Sequence, residues 1–251
     1  VVVDSGYQLN KVVERLVATK FINLGQSCIA PDYIIIHNKD FDLFVDLLTK
    51  KIKSTYGDSF EEQKSSSSLA RIVNDNHFSR LVNMIDDKNC NILYGGGYDK
   101  TDRFISPTIV DIRDKGAQAF NQEIFGPIIP IISYSSDKDL DSLLDKINYP
   151  LALYIFSKNK KFINKIKSST SSGGVCVNDI AAQFINHNLP FGGVMNSGSG
   201  RYHGFSGFKE FSNSRSIMIQ SKINFLNILG PPYSKTTQKI VDMVIWLYKK
   251  I

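Results

Sequence analysis

Short apolar runs rich in β-branched residues alternate with amphipathic segments along most of the chain. Runs such as 33–36, 128–134 and 151–156 have the length and composition of buried strands. The segments between them place apolar residues three or four positions apart, which is typical of helices that cover a sheet with one face. Strands that alternate with helices of about 10–15 residues indicate a parallel sheet. We therefore predict an α/β fold with a mainly parallel, helix-covered sheet.

The predicted elements follow one another closely as far as residue 177. Asp4 or Ser5 is expected to cap the first helix, and the serine-rich segment 59–68 is expected to be a polar loop. The predicted strands are 1–3, 33–36, 92–94, 104–110, 128–134, 151–156 and 173–177. The predicted helices contain the apolar positions of segments 9–17, 41–52, 77–85, 138–147 and 160–168.

The net charge of +6 is concentrated toward the carboxyl end. From residue 222 onward, five lysines accompany a single acid, Asp242. The rest of the chain has no stripe of Lys and Arg interleaved with aromatic residues, which is the pattern of nucleic-acid-binding surfaces. We therefore predict that the protein binds no nucleic acid. The basic end fits either an anionic membrane surface or simple solvation.

Three cysteines, Cys28, Cys90 and Cys176, lie far apart and form no pair at zinc-ligand spacing. The four histidines share no metal spacing either, so we predict no metal site. An odd number of cysteines without a secretory signal fits a reducing, intracellular compartment. Cys90 and Cys176 lie in or beside apolar runs and are expected to pack in the core. A lone cysteine is more often a packing residue than a nucleophile, and this alternative applies to Cys28 as well.

Three glycine-containing segments stand out from the alternating pattern. They are Gly25-Gln26-Ser27-Cys28-Ile29-Ala30-Pro31, Glu123-Ile124-Phe125-Gly126-Pro127, and the segment 189–204 that contains Pro190-Phe191-Gly192-Gly193 and Tyr202-His203-Gly204. In this order they resemble the aldehyde dehydrogenase superfamily. Cys-Ile-Ala-Pro-Asp-Tyr and Tyr-His-Gly are similar to its class 3 branch, which includes the fatty aldehyde dehydrogenases. The resemblance extends from residue 1 to about residue 233 and implies the catalytic domain of that family, a three-layer α/β sandwich.

The resemblance implies roles for three residues of the first two segments. Cys28 is the nucleophile that attacks the aldehyde, since the thiolate of a cysteine attacks carbonyl carbon. Glu123 accepts hydrogen bonds from the nicotinamide ribose hydroxyls of NAD or NADP, and Phe125 packs beside the nicotinamide ring. A carboxylate and an aromatic wall suit these tasks. The alternative is an ordinary surface Glu beside a core Phe.

Residues in and near the third segment have less specific implied roles. Phe191 lines the substrate tunnel in such enzymes, or it packs in the core. Met195 stands where the family usually has a small residue, and Asn178 corresponds to a structural position near the nucleophile. His203 is expected to be a structural hydrogen-bonding residue. The segment lacks the Gly-Lys-Ser/Thr ending of a phosphate-binding loop.

The resemblance also implies how the chain is organised. We predict a catalytic domain over 1–185, a glycine-rich return segment with an oligomerisation strand over 186–221, and a basic amphipathic tail over 222–251. The family's dinucleotide-binding domain, its oxyanion-hole Asn and its Glu-Leu-Gly-Gly motif, which carries the general base, are not found in this sequence. We therefore expect the chain to be part of a longer protein and to be inactive by itself.

The predicted function of the complete protein is the NAD(P)-dependent oxidation of aldehydes, with long-chain aliphatic aldehydes as the favoured substrates. The resemblance implies a cysteine thiohemiacetal, a thioester and a homodimer. The alternative is a catalytically inactive remnant that serves as an interaction or membrane-associated module. A Cys–His thiol hydrolase is disfavoured because the sequence indicates no histidine as the partner of Cys28.

Residues 236–251 predict an amphipathic helix with lysines opposite an apolar stripe. The uninterrupted apolar run 243–248 is far shorter than the roughly 20 residues that span a bilayer. We therefore expect an interfacial helix with Trp246 at the polar–apolar boundary, on the endoplasmic reticulum, the mitochondrial outer membrane or lipid droplets. Packing on the protein itself or across a dimer is the alternative. The stripe contains Ile240, Met243, Val244, Leu247 and Ile251.

Overall fold

The computed structural model describes residues 1–112, 117–147, 149–220, 222 and 230–249. The chain divides into two compact units, Val1–Phe211 and Ser212–Ile251. The strands of the first unit are β1 (Val2–Val3), β2 (Ile34–His37), β3 (Cys90–Tyr94), β4 (Tyr98–Asp99), β5 (Phe104–Ile105), β6 (Thr108–Ile112), β7 (Ile128–Tyr134), β8 (Ala152–Phe156) and β9 (Gly174–Val177).

Helices connect most of these strands, as the sequence predicts. They are α1 (Leu9–Lys20), α2 (Asn38–Tyr56), α3 (Phe60–Ser65), α4 (Asp75–Ile85), α5 (Gln118–Asn121), α6 (Asp137–Leu144), α7 (Lys160–Ser169), α8 (Ala182–Ile185) and α9 (Gly204–Glu210). Short 3₁₀ helices cover Ile22–Gly25 and Met195–Ser197.

A central sheet organises the first unit. Within the described residues it contains seven strands in the order β3-β6-β7-β2-β1-β8-β9, and β4 pairs with β5 in a separate small sheet. All neighbours in the central sheet are parallel except β3 and β6, which are antiparallel. The predicted α/β fold with a mainly parallel sheet is therefore confirmed.

Two hydrophobic cores cover the two faces of this sheet. Successive side chains of a strand point to opposite faces, so Ile34 and Ile36 of β2 join one core while Ile35 joins the other. Buried residues of α1, α2 and α4 complete the first core. Residues of α6 and α7, such as Leu140 and Ile166, complete the second. The unit therefore has three layers, helices on both sides of a sheet.

Three local predictions are wrong, each for an identifiable reason. Segment 59–68 is not all loop, because Ser59 accepts from the Glu62 N–H at 3.2 Å and the Glu62 carboxylate accepts in return, a capping box that starts α3. The predicted strand 104–110 is divided into β5 and β6 at Pro107, which has no N–H to donate to the hydrogen bonds between strands.

Helix α1 begins later than expected, with Gln8 at its N-cap. The Asp4 carboxylate accepts from the Ser157 hydroxyl instead.

The second unit contains helix α10 (Lys235–Tyr248), which agrees with the predicted amphipathic helix over the part of 236–251 that the structure describes. Ser234 caps it by accepting from the Thr237 N–H at 3.2 Å. Lys250 and Ile251 lie outside the described residues. Among the described residues, no helix has both the length and the apolar content needed to cross a membrane.

Candidate active site

The three predicted segments meet at one edge of the central sheet. Cys28 precedes β2 and Glu123 precedes β7, and these two parallel strands are neighbours. The third segment reaches the same edge before β9, because a Cβ on Gly173 would lie only 3.1 Å from the carbonyl carbon of Gly192. The amino ends of parallel strands share one edge of a sheet, so the fold places all three segments there.

Cys28 lies in a tight turn on this edge. The Ala30 N–H donates to the Ser27 carbonyl at 3.1 Å, which makes Cys28 and Ile29 the central residues of the turn. The side-chain amide of Gln26 supports the turn from one side, because it donates to a main-chain carbonyl at 2.9 Å and accepts from a main-chain N–H at 2.9 Å, both in segment 71–73. An exposed thiol on a braced turn can reach a ligand without losing its position.

Gly25 brings the turn into direct contact with the Glu123 segment. Its φ is +77°, a conformation that favours glycine, and a Cβ there would overlap the Gly126 carbonyl group, lying 2.7 Å from its carbon. The glycine of the first segment and the glycine of the second are thus in backbone contact. This approach connects two segments that lie almost one hundred positions apart in the sequence.

Glu123 and Phe125 are both exposed beside this contact. Phe125 has a φ of +48° and is 37% exposed, so it is not a fully buried core residue, in contrast to the core alternative. Partial burial of the Glu123 carboxyl group raises its pKa, and the negative charge of Asp32 adds to this rise while the Arg80 guanidinium opposes it. The pair presents a hydrogen-bond acceptor and an apolar ring on one exposed stretch.

Tyr154 of β8 contacts the Cys28 turn, which the sequence analysis missed. Its hydroxyl donates to the Ile29 carbonyl at 2.7 Å, and it is 2% exposed. Burial raises the pKa of Tyr154 to about 12, so the hydroxyl keeps its proton. A buried tyrosine in an otherwise apolar strand needs a hydrogen-bond partner, and this requirement is the signal that could have indicated it.

The other two cysteines differ from Cys28 in burial. Of the three cysteines, all of which the structure describes, Cys28 alone is exposed. Burial raises the pKa of Cys90 to about 11, with further increases from the charges of Asp87 and Asp111. Burial also raises the pKa of Cys176. A raised thiol pKa reduces the thiolate fraction at neutral pH, so Cys90 and Cys176 are poor nucleophiles.

The third segment forms an aromatic cluster. Phe191 is 8% exposed and pairs with Tyr202 through two main-chain hydrogen bonds of 2.9 and 2.8 Å. The rings of Phe184, Phe191 and His203 lie within 5.7 Å of one another, centroid to centroid. Phe191 is therefore packed among rings, which agrees with the core alternative, and its role in a substrate tunnel stays a prediction. The buried His203 Nδ1 has no hydrogen-bond partner, so the expected hydrogen bond is not made at this atom.

Two further residues of the sequence analysis have well-defined environments. Asn178 holds the end of β8, because its side-chain amide accepts from the Ser157 N–H and donates to the Ser157 carbonyl, both at 2.9 Å. These bonds hold the main chain of Ser157, which is consistent with the structural role predicted for Asn178. Met195 is 74% exposed and has a φ of +51°, a left-handed conformation that costs any L residue energy.

No group of three or more His, Cys, Asp or Glu side chains in the described part of the chain is arranged to hold a metal ion. At this edge of the sheet the structure places an exposed thiol on a braced turn, with a carboxylate and an aromatic ring on the segment that contacts it. Such a set combines a nucleophile with groups that can orient a polar, planar ligand.

Known proteins are similar to this chain in sequence and in fold. The aldehyde dehydrogenase family model matches residues 1–217. The chain is 41% identical over 222 residues to mouse "Aldehyde dehydrogenase, dimeric NADP-preferring", covering 88% of this chain and 48% of the relative. It is 35% identical over 233 residues to Staphylococcus aureus "4,4'-diaponeurosporen-aldehyde dehydrogenase", covering 93% of this chain and 50% of the relative.

A solved structure of an aldehyde dehydrogenase has a similar fold. The substrate-bound Staphylococcus aureus AldH superposes with a TM-score of 0.81 at 33% identity, covering 97% of this chain and 52% of that one. The chain spans about half the length of the curated relatives that it matches. Because the family model covers most of the sequence and the same fold recurs, the chain belongs to the aldehyde dehydrogenase family.

Proposed function

We propose that the protein containing this chain oxidises aldehydes to carboxylic acids with NAD⁺ or NADP⁺, and that Cys28 is its nucleophile. The observation that carries this proposal is the backbone contact between Gly25 and Gly126. It places the exposed Cys28 turn beside the exposed pair Glu123 and Phe125. The exposed thiol that we propose as the nucleophile thus lies beside the residues that we propose as dinucleotide contacts.

The chemistry of Cys28 follows from that of thiols. Its thiolate adds to the aldehyde carbon, and the resulting alkoxide takes up a proton to give a thiohemiacetal. This adduct becomes a thioester by losing the hydrogen on carbon as hydride and the hydroxyl hydrogen as a proton to solvent, and a bound NAD⁺ or NADP⁺ would supply the hydride acceptor. Water then hydrolyses the thioester, which releases the carboxylic acid and restores the thiol. The Cys28 main-chain N–H is available on the turn as one donor to the developing oxyanion.

Glu123 and Phe125 fit the nicotinamide end of such a cofactor. An exposed carboxylate can accept from two neighbouring hydroxyl groups of a ribose, and an exposed phenyl ring gives a flat apolar wall for a planar ring. The mouse relative is named for a preference for NADP, and both NAD and NADP remain within our proposal. Its name also calls it dimeric, and we propose a homodimer here.

Long-chain aliphatic aldehydes are the substrates that we propose. The support is the resemblance of the Cys28 and Tyr202-His203-Gly204 segments to the class 3 branch, together with the Staphylococcus aureus relative that is named for 4,4'-diaponeurosporen-aldehyde. Phe184 and Tyr202, whose rings contact the buried Phe191, provide an aromatic surface near the same sheet edge, and apolar chains gain free energy by leaving water for such a surface.

Aldehyde oxidation tests this proposal directly. We expect the protein containing this chain to form NADH or NADPH with aliphatic aldehydes, and kcat/KM to rise with chain length from propanal to dodecanal. Each buried methylene contributes about 0.8 kcal/mol, so an increase of roughly fourfold per carbon is expected over part of the series. A flat series would contradict the long-chain preference, and no turnover with any aldehyde would contradict the activity. The 251 residues alone serve as a comparison, and we expect little turnover from them.

A membrane-associated function is the second candidate, and one observation favours it. Residues 243–248 of α10 form an apolar run in which every side chain is exposed, and Lys239 and Lys249 lie on the same helix and its C-cap. An exposed apolar run with lysines is typical of helices that lie in a membrane interface. We propose that α10 binds anionic membrane surfaces inside the cell, such as those of the endoplasmic reticulum, the mitochondrial outer membrane or lipid droplets.

Vesicle co-sedimentation measures this binding. We expect the chain to sediment with vesicles of anionic lipid at low salt and to lose this binding when residues 235–251 are removed. Each lysine near the surface contributes about 1 kcal/mol, so the double variant Lys239→Gln, Lys249→Gln is expected to weaken binding at least roughly tenfold. Vesicles of neutral lipid are the control. Unchanged sedimentation after the deletion would show that α10 packs against protein instead.

A further inference from the structure

Arg80 of α4 holds the main chain between the two candidate cofactor contacts. Its guanidinium donates through Nη1 to the Glu123 carbonyl at 2.9 Å and through Nη2 to the Ile124 carbonyl at 2.7 Å. The fixed fork of a guanidinium suits two acceptors side by side. Two consecutive carbonyl groups are therefore fixed by one side chain.

Asp32 holds the same stretch from the other side. Its Oδ1 accepts from the Ile124 N–H at 3.2 Å. Because Asp32 follows Cys28 by four residues, the bond connects the nucleophile's segment to the segment of Glu123 and Phe125. The peptide unit between Glu123 and Ile124 is thus held at both its oxygen and its N–H.

The charges of Lys20 and Arg80 oppose the effect that burial has on the Asp32 carboxyl group. Lys20 is 0% exposed, and its Nζ donates to the Pro31 carbonyl at 2.6 Å, directly before Asp32. Burial raises the pKa of Asp32, whereas the charges of Lys20 and Arg80 and the Ile124 N–H lower it. A carboxylate that accepts from a main-chain N–H makes a charge-assisted bond, which is stronger than a neutral one.

The hydrogen bonds from Arg80 and Asp32 orient the main chain that carries the Glu123 and Phe125 side chains. The peptide planes on either side of Ile124 set the backbone directions at Glu123 and Phe125, and the Ile124 side chain is fully buried beneath them. Phe125 has a positive φ, a conformation that persists only when its surroundings impose it. Without Arg80 and Asp32, this exposed stretch would have many more conformations available in which neither side chain faces a bound nucleotide.

We propose that Arg80 and Asp32 are positioning residues for dinucleotide binding, acting through the main chain of Glu123 and Ile124. This inference rests on the proposed function, because it assumes that Glu123 and Phe125 contact the cofactor. Neither residue needs to touch the nucleotide. Their effect is to keep the Glu123 carboxylate and the Phe125 ring in the binding geometry before the nucleotide arrives, which reduces the entropic cost of binding.

Titration calorimetry with NAD⁺ and NADP⁺ on the protein containing this chain tests the proposal. We expect Arg80→Met and Asp32→Ala each to raise the Kd of the dinucleotide about tenfold, equivalent to ~1.4 kcal/mol. Arg80→Lys and Asp32→Asn are expected to recover part of the affinity, because lysine can donate to one carbonyl and the asparagine oxygen can accept from the Ile124 N–H. The KM for the aldehyde should change less than the KM for the nucleotide.

Hydrogen exchange gives a second readout that requires no nucleotide. The Ile124 amide is expected to exchange faster in Asp32→Ala than in the unchanged protein, and Asp32→Asn is expected to restore slow exchange. If Arg80→Met or Asp32→Ala does not fold, the conservative pair Arg80→Lys and Asp32→Asn still reports on both sides of the stretch.

Arg103→Met is the matched control. Arg103 also donates from its side chain to a main-chain carbonyl, that of Ile72, at 3.1 Å, but it does not contact Glu123 or Ile124. Unchanged Kd in both Arg80→Met and Asp32→Ala, or an equal rise in Arg103→Met, would overturn the positioning role. If the unchanged protein binds neither nucleotide, the proposed function fails first and this inference with it. We expect Cys28→Ser to bind the dinucleotide with an unchanged Kd, which would show that binding does not depend on the reacting thiol.

Discussion

Cys28→Ser is expected to reduce aldehyde oxidation by at least about a thousandfold, because a serine hydroxyl at this position lacks both the low pKa and the nucleophilicity of a thiol. Dinucleotide binding should remain, since Cys28 is not part of the Glu123 segment. The measurement is kcat/KM for a long-chain aldehyde, together with the thermal midpoint to show that the variant is folded.

Cys90→Ser and Cys176→Ser are the matched controls for this prediction. Each removes one sulfur atom, but from a partly buried site where the thiol pKa is raised. Both should retain kcat/KM within a fewfold of the unchanged protein, and iodoacetamide should label Cys28 first in the isolated chain. Aldehyde oxidation by Cys28→Ser at a near-normal rate would falsify the assignment of the nucleophile.

Gly25→Ala is expected to destabilise the first unit by about 2–5 kcal/mol. A non-glycine residue at a φ of +77° costs roughly 1–2 kcal/mol, and a methyl group that overlaps the Gly126 carbonyl costs a further 1–3 kcal/mol or more. Both neighbours are main chain, so no side-chain rotation can relieve the overlap. The measurement is the free energy of unfolding in urea.

Gly6→Ala separates the cost of a positive φ from the cost of the overlap with the Gly126 carbonyl group. Gly6 has a φ of +75°, close to that of Gly25, but a Cβ there would meet no atom within 4 Å. Its substitution should therefore cost only the conformational part, roughly 1–2 kcal/mol. If the free energy of unfolding falls by the same amount in both variants, a methyl group at Gly25 does not overlap the Gly126 carbonyl group, and the two segments are not in close backbone contact.

The periodicity of the sequence predicts most of the fold. Apolar runs such as 128–134 became strands with the predicted bounds, and α1, α2 and α4 begin or end within a few residues of the predicted segments. These elements are local, because each follows from the spacing of its own apolar residues. The failures are local as well. The capping box at Ser59 and Glu62 starts a helix in a serine-rich segment, and Pro107 interrupts an apolar run between β5 and β6.

The functional surface was only partly predictable. Cys28, Glu123 and Phe125 were identified by resemblance, and their roles in this protein stay predictions. Tyr154, Arg80 and Asp32 were not identified, because each acts on a segment far away in sequence through a main-chain group that no pattern reveals. General expectation also places ligands at the carboxyl ends of parallel strands. Here the three segments lie at the amino ends.

The sequence by itself determined the helices and strands, their alternation and the family, because apolar periodicity and short motifs depend only on residues that are close together in the sequence. It did not determine which segments touch. Only the tertiary structure put Gly25 against Gly126 and Asp32 against Ile124, since strand order in the sheet, β7 beside β2, decides which loops share an edge. Burial likewise separated Cys28 from the two other cysteines, because solvent exposure is a property of the packed chain rather than of a residue's neighbours in sequence.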